Sequence, residues 1–305
     1  MKSLSKGYLL MIISGTFYGF IGIFVSNLSN YNIPTSVIAF FRPLVAFIVI
    51  FTYLLIFKRE YLKVDRKNLI YIILIAISSQ TIFNRLYFAA IEKTTITTAA
   101  VMIFTSPIFV VILARFIYKE LFTLPKMIAL VVAVTGCFLT STGGSIEELK
   151  LNAVGLALGL GAGFTFAFLP IFNKKLVGKC HYLTIACYTM GFGALFTFLL
   201  AGPQAVASID YNLNLWVNII GLGIIGNALG YLFYTAAMSY NIQSSMASII
   251  VTIEVPIAAL TSFIFFQEDI FGIKLLGIIL VILSVAIIEY GDRWFLKRKE
   301  KAQSL

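Results

Sequence analysis

Residues 105–120 read TSPIFVVILARFIYKE, and residues 253–268, displaced by 148 positions, read IEVPIAALTSFIFFQE. Each run is apolar and long enough for most of a membrane helix, carries an internal proline (Pro107, Pro256) and closes on a glutamate (Glu120, Glu268). The same shift places Gly7 on Gly155, Tyr18-Gly19 on Phe166-Ala167, Ala46 on Ala194, Ala89 on Ala237, Ala99 on Ala247 and Lys126 on Lys274. Residue identity between the halves is low. Matching hydropathy and punctuation carry the repeat.

Around these runs the chain is uniformly apolar. Of its 305 residues 60% are hydrophobic and only 12% charged, with a mean hydropathy of +0.97. A soluble domain has about 25% charged residues, so this chain cannot coat a water-soluble body of its size. The apolar residues fall in ten blocks, 8–28, 36–57, 69–91, 95–117, 126–142, 153–173, 182–201, 216–238, 242–264 and 270–290. Each approaches the ~20 residues that cross a hydrocarbon core at about 1.5 Å per residue. Lys2 and Lys6 precede the first block, but the run is too long for a signal peptide and no small-residue cleavage site ends it. The expected fold is all-α and integral to the membrane. Ten spans form two five-helix repeats, 1–148 and 149–292, followed by a basic tail, 293–305. Five is odd, so the second repeat enters from the opposite side and the topology is inverted.

Charge sets the orientation. Lys58, Arg59, Lys63, Arg66 and Lys67 follow block 2, and Arg115, Lys119 and Lys126 surround the end of block 4. Lys174, Lys175 and Lys179 follow block 6, and Arg293, Lys297, Arg298, Lys299 and Lys301 follow block 10. The opposite loops hold only Lys93, Lys150 and Lys274, while the loop after block 8 has no basic residue. The positive-inside rule then puts both termini in the cytoplasm and the protein in the cytoplasmic membrane. Trp216 and Trp294 fall at expected membrane–water boundaries. The net charge of +10 is thus an orientation signal rather than a sign of nucleic-acid binding.

Enzyme chemistry finds no support. Asp65, Asp210, Asp269 and Asp292 lie in loops or just beyond block ends, His181 is the sole histidine, and Cys137, Cys180 and Cys187 have no metal-ligand spacing. No cofactor is expected.

The chain resembles the EamA-type branch of the drug/metabolite transporter superfamily. The carriers are Gly7 with Tyr18-Gly19, AFFRPLVAF (39–47), TSPIF (105–109) ending in Glu120, and IEVPIAAL (253–260) ending in Glu268. The resemblance covers nearly the whole chain and implies ten helices, cytoplasmic termini and transport of small metabolites such as amino acids. One departure is visible: Val255 separates Glu254 from Pro256, where the family has glutamate directly before proline.

Three charges stand deep inside the blocks, Arg42, Arg85 and Glu254. Each costs about 2.5–3.5 kcal/mol at a helix centre, so a partner or wet cavity is expected. Arg42 and Arg85 stand at one depth from the outer side, and paired guanidinium groups suit a carboxylate or phosphate. Snorkelling to outer headgroups is the plain alternative. At helical spacing Ser78, Thr81, Arg85 and Glu92 form one stripe with Gln80 and Asn84 beside it, a face that expects protein or water. On that reading Arg85→Ala abolishes transport. Asn227, Tyr231 and Tyr234 share a face of block 8, suited to lining a pocket or to interhelical bonding. Glu254 shares a face with Gln243, Ala247, Ala258 and Thr261, and is a counter-ion or a proton-coupling group. Pro107 and Pro256 interrupt their helices, the best sequence pointer to a transporter site. Gly15/Gly19, Gly155/Gly159/Gly163 and Gly226/Gly230 read as packing faces.

The sequence therefore predicts a secondary transporter, an exporter of amino acids or related metabolites. Its partners would be a small-molecule substrate, membrane lipid and protons as coupling ion, and its state monomer or homodimer. A lipid-carrier flippase and a non-transporting membrane sensor remain the competing classes.

Overall fold

The computed structural model describes residues 2–31, 33–146, 149, 151–209 and 211–303, with side chains between residues 4 and 291. Among them all regular structure is helical, and ten helices are long and apolar enough to cross a membrane. They are α1 (Leu4–Ser29), α2 (Thr35–Phe57), α3 (Arg66–Lys93), α4 (Ile96–Tyr118), α5 (Leu124–Thr142), α6 (Ala153–Leu176), α7 (Tyr182–Ala201), α8 (Leu213–Ser239), α9 (Ser244–Phe266) and α10 (Ile273–Gly291). The backbone of α10 stays helical to Gln303, so the expected tail is at least partly helix. The side chains of Asp292, Arg293, Trp294 and residues 297–301 lie outside the described residues, as do Lys150 and Asp210.

Packing partners survive exchange of the halves. Helix α1 packs on α8 and α9, and α6, which the 148-residue shift lays over α1, packs on α3 and α4. Helix α2 pairs with α7, α5 with α10, and α4 with α9. Irregularities recur at matching places too. Regular helix breaks after Gly19 in α1 and after Phe166 in α6. Helix α3 contains a π-helical segment, Ala76–Ile82, and α8 contains one at Leu222–Leu229. Lys119 and Gln267, 148 residues apart, both close their helices in the left-handed conformation, φ 55° and 56°.

The two quoted runs are broken helices. Helix α4 stops at Ile103 and restarts at Ser106, while α9 stops at Ile250, passes through one 3₁₀ turn, Val251–Ile253, and restarts at Glu254. The breaks thus sit just before Pro107 and Pro256. A proline lacks the N–H owed to the carbonyl four residues back but fits a first helical turn, where that donor is not needed. Interrupted backbone at membrane depth is tolerated where protein or an aqueous cavity covers it.

Glycine allows α1 to close on the broken α9. A Cβ built on Gly19 would lie 2.6 Å from Cβ of Ile257 and 2.9 Å from the carbonyl oxygen of Glu254, and one on Gly15 would overlap Ile253. Gly159 and Gly230 are likewise pressed against Met102 and Tyr18. The small-residue faces read from sequence are therefore close contacts between helices. Gly19→Val is expected to cost about 1–3 kcal/mol by overpacking, seen as a lower unfolding temperature in detergent. Unchanged stability would mean that α1 and α9 separate freely.

Candidate functional site

The breaks converge on one place. A cavity is lined by Tyr18 from α1, Phe104 and Pro107 from the break in α4, Tyr234 from α8, and Thr252 and Glu254 from the break in α9. Glu254 opens the restarted helix, so the 3₁₀ turn aims its carboxylate inward. Arg42, beside Pro43 in α2, lies within electrostatic range of Glu254, Tyr18 and Tyr87. Two opposite charges and two phenols thus share one buried region.

The charges do not neutralise each other directly. Among the described residues the ion pairs within 4.0 Å are those of Glu120 with Lys174 and Lys126. The Nε of Arg42 is buried without a hydrogen-bond partner among the described residues. A buried donor left unpaired costs about 1–3 kcal/mol, so the site holds an unmet demand for an anionic acceptor on one side and a carboxylate on the other.

The other residues singled out from sequence are placed differently. Arg85 is exposed, with Ile82 and Glu92 exposed on the same side. Tyr87, two residues and about 200° round the helix, is the group that α3 turns towards Arg42. The stripe from Ser78 to Glu92 is therefore not one face. Its first half serves the π-helical segment, where Ser78 donates to the carbonyl of Leu74 (2.7 Å), Ser79 to Ile75 (2.8 Å) and Thr81 to Ala76 (3.1 Å). Asn84 donates to the carbonyl of Gln80, whose own stem packs against Gly193 of α7. Tyr231 is buried and bonded between helices, 3.4 Å from both Thr189 and Asn173, and Asn227 donates to the Met190 sulfur at 3.2 Å. Of the α8 trio, Tyr234 reaches the cavity. Gln243 accepts from Lys126 at 2.7 Å, away from Glu254. Tyr18 and Tyr87 were missed by the sequence reading; Tyr18 was visible there only as punctuation beside Gly19.

A second polar cluster lies at the lysine-rich end. Glu120 takes Nζ of Lys174 at 2.8 Å, the backbone N–H of Ser244 at 2.9 Å and of Ser245 at 3.3 Å, and the Ser245 hydroxyl. Burial alone would push its carboxyl up. The bonds from Lys174 and Ser245, with the charges of Lys174 and Lys126, outweigh that and hold it below the ordinary carboxylate range. A depressed folded pKa gives stability that is complete above the unfolded value, near 4.3, and lost as pH falls through the lowered one. The gap in unfolding temperature between the parent protein and Glu120→Gln is therefore expected to be constant from pH 8 to about 5 and to close below about pH 4. A gap that ignores pH would show that the charge of Glu120 is immaterial.

With this geometry in place, comparison with known proteins is decisive. The sequence pattern of the EamA-like transporter family matches residues 5–142 and again residues 153–290. The chain belongs to the EamA-like transporter family. This places it in the drug/metabolite transporter superfamily, as a multi-pass membrane protein of small-molecule transport. An uncharacterised transporter of Bacillus subtilis (strain 168) is 24% identical over 292 residues, 94% of this chain and 90% of its own length. The S-adenosylmethionine uptake transporter of Rickettsia conorii is 24% identical over 208 residues, 68% of each chain. One solved crystal structure superimposes with a TM-score of 0.80 at 11% identity, over 95% of this chain and 99% of its own, which speaks to fold alone.

Proposed function

We propose that this EamA-like protein is a secondary transporter, an exporter of amino acids or closely related zwitterions, working by alternating access between two inverted repeats. The carrying observation is the buried Nε of Arg42, without a hydrogen-bond partner among the described residues and within electrostatic range of Glu254 without an ion pair between them. A substrate carboxylate would satisfy the guanidinium, and its ammonium would face Glu254. Tyr18, Tyr87 and Tyr234 supply amphipathic walls with phenol donors. Arg85, exposed and away from this centre, is given no substrate contact.

Odd repeats of five helices and the lysine-rich loops support inverted halves with cytoplasmic termini in the cytoplasmic membrane. No nucleotide-binding loop is present in the sequence, so gradients drive the flux, with Glu254 as the proton-exchanging group. The Rickettsia relative is named for S-adenosylmethionine uptake. That compound carries the same α-amino acid head, which favours a site reading the head rather than the side chain.

The test is counterflow in sealed proteoliposomes against a panel of amino acids, each loaded in turn on either side. Saturable exchange of zwitterions, with amine-less and carboxylate-less analogues excluded, is the expected result. Binding without flux would make the protein a sensor, and flux only of long-chain lipids would make it a flippase.

A further inference from the structure

The repeat places a matching set of groups at each end of the bundle, yet only one set is assembled. At the lysine-rich end Glu120 joins the end of α4 to α9 through the N–H groups of Ser244 and Ser245 and the Ser245 hydroxyl, and to α6 through Lys174. Lys126 closes the same cluster, 3.7 Å from Glu120 and bonded to Gln243 and the carbonyl of Leu121. Moving the first-half residues forward by 148 and the second-half residues back by 148 gives the opposite set: Glu268 and Lys274 against Ile96, Thr97 and Thr95, with Ser26 where Lys174 stands. The backbone donors, the hydroxyl and one lysine are kept, because Thr97 offers a hydroxyl where Ser245 does and Lys274 stands for Lys126, while the Lys174 ammonium is replaced by the Ser26 hydroxyl.

In this structure that second set stands open. Glu268 is exposed and has no ion pair or side-chain hydrogen bond among the described residues. Thr95 instead turns its hydroxyl onto its own helix, accepting from the N–H of Thr98 at 3.1 Å and sharing a 2.9 Å contact with the Thr98 hydroxyl. The backbone is nevertheless prepared alike, since Glu268 and Glu120 follow the two left-handed residues and their N–H groups reach back to Ser262 and Ala114.

We propose that Glu120 and Glu268 are alternate latches of the transport cycle, Glu120 closing the lysine-rich end in the state seen here and Glu268 closing the other end on the N–H groups of Ile96 and Thr97. Both are positioning residues, acting through the helix ends they hold. The inference rests on the alternating-access reading above. A charge-assisted contact exchanged between two states moves their populations by its difference in free energy, so losing one latch biases the cycle towards the other.

The test uses the full chain with Cys137, Cys180 and Cys187 changed to alanine and one reporter, Val251→Cys, at the cavity wall. In sealed vesicles of known orientation, a membrane-impermeant maleimide is applied from either side. The reporter chain should label from both sides, as alternating access requires; labelling from one side alone would overturn that reading and the latches with it. Glu120→Gln is expected to raise labelling from the lysine-rich end by at least about tenfold and to lower it from the other. Ser245→Ala should move it the same way, less far. Glu268→Gln, a change at an exposed position that does not threaten folding, should move it the opposite way. Labelling from both sides that neither glutamate variant biases, or that both bias in one direction, would overturn the latches while leaving alternating access intact.

Discussion

Arg42→Ala is expected to reduce zwitterion flux in proteoliposomes by at least about 100-fold while leaving the protein as stable as its parent, or more so. Charge-assisted hydrogen bonds are worth about 1.5–3 kcal/mol each, a bidentate carboxylate contact uses two, and every 1.4 kcal/mol is about tenfold. The stability half of the expectation comes from the unpartnered Nε. A structural arginine loses its bonds when truncated and the fold suffers, whereas this one removes a buried donor that the described protein does not satisfy. Flux and thermal unfolding measured on the same preparation separate the two roles. Loss of stability in step with flux would make Arg42 a structural residue. Arg85→Ala is the companion variant: if it removes flux while Arg42→Ala does not, the reading taken from the polar stripe is right and the one taken from the cavity is wrong.

Glu254→Gln is expected to change what is carried more than how much. The amide keeps the size of the side chain but loses the charge that we propose faces the substrate ammonium. Flux of the amino acid should fall about 10- to 100-fold, while that of the analogue lacking the amine falls little. Their ratio therefore shifts by at least about tenfold in favour of the analogue. Flux by the variant should also become flat with pH, since the site then has no carboxylate to exchange a proton. Equal losses for both compounds would show that Glu254 does not read the ammonium. Retained pH dependence would place proton exchange elsewhere.

Much of this architecture is legible in one dimension. The ten spans follow from block length and hydropathy, because a helix in lipid must be long and apolar whatever its neighbours. The likeness of the two stretches that match the family pattern is visible in Pro107 and Pro256, Glu120 and Glu268, since backbone punctuation acts locally. Gly15 and Gly19 are readable for the same reason: a small residue every fourth position marks a close approach even when the partner is unknown. Arg42 and Glu254 were visible as charges where charge is costly.

Two things were decided by tertiary structure alone. The first is which way α3 faces. Carrying a 3.6-residue period from Ser78 to Glu92 assumes regular helix, but Ala76–Ile82 is π-helical, with more residues per turn. The two ends of the stripe therefore rotate apart, leaving Ser78 and Ser79 buried, Arg85 exposed and Tyr87 turned to the centre. The second is which glutamate is bonded. Sequence makes Glu120 and Glu268 equivalents, and local chemistry cannot choose between them. Burial of Glu120 with Lys174 and exposure of Glu268 belong to the packing of the whole bundle, because the groups that bond Glu120 come from α6 and α9, far from it in sequence.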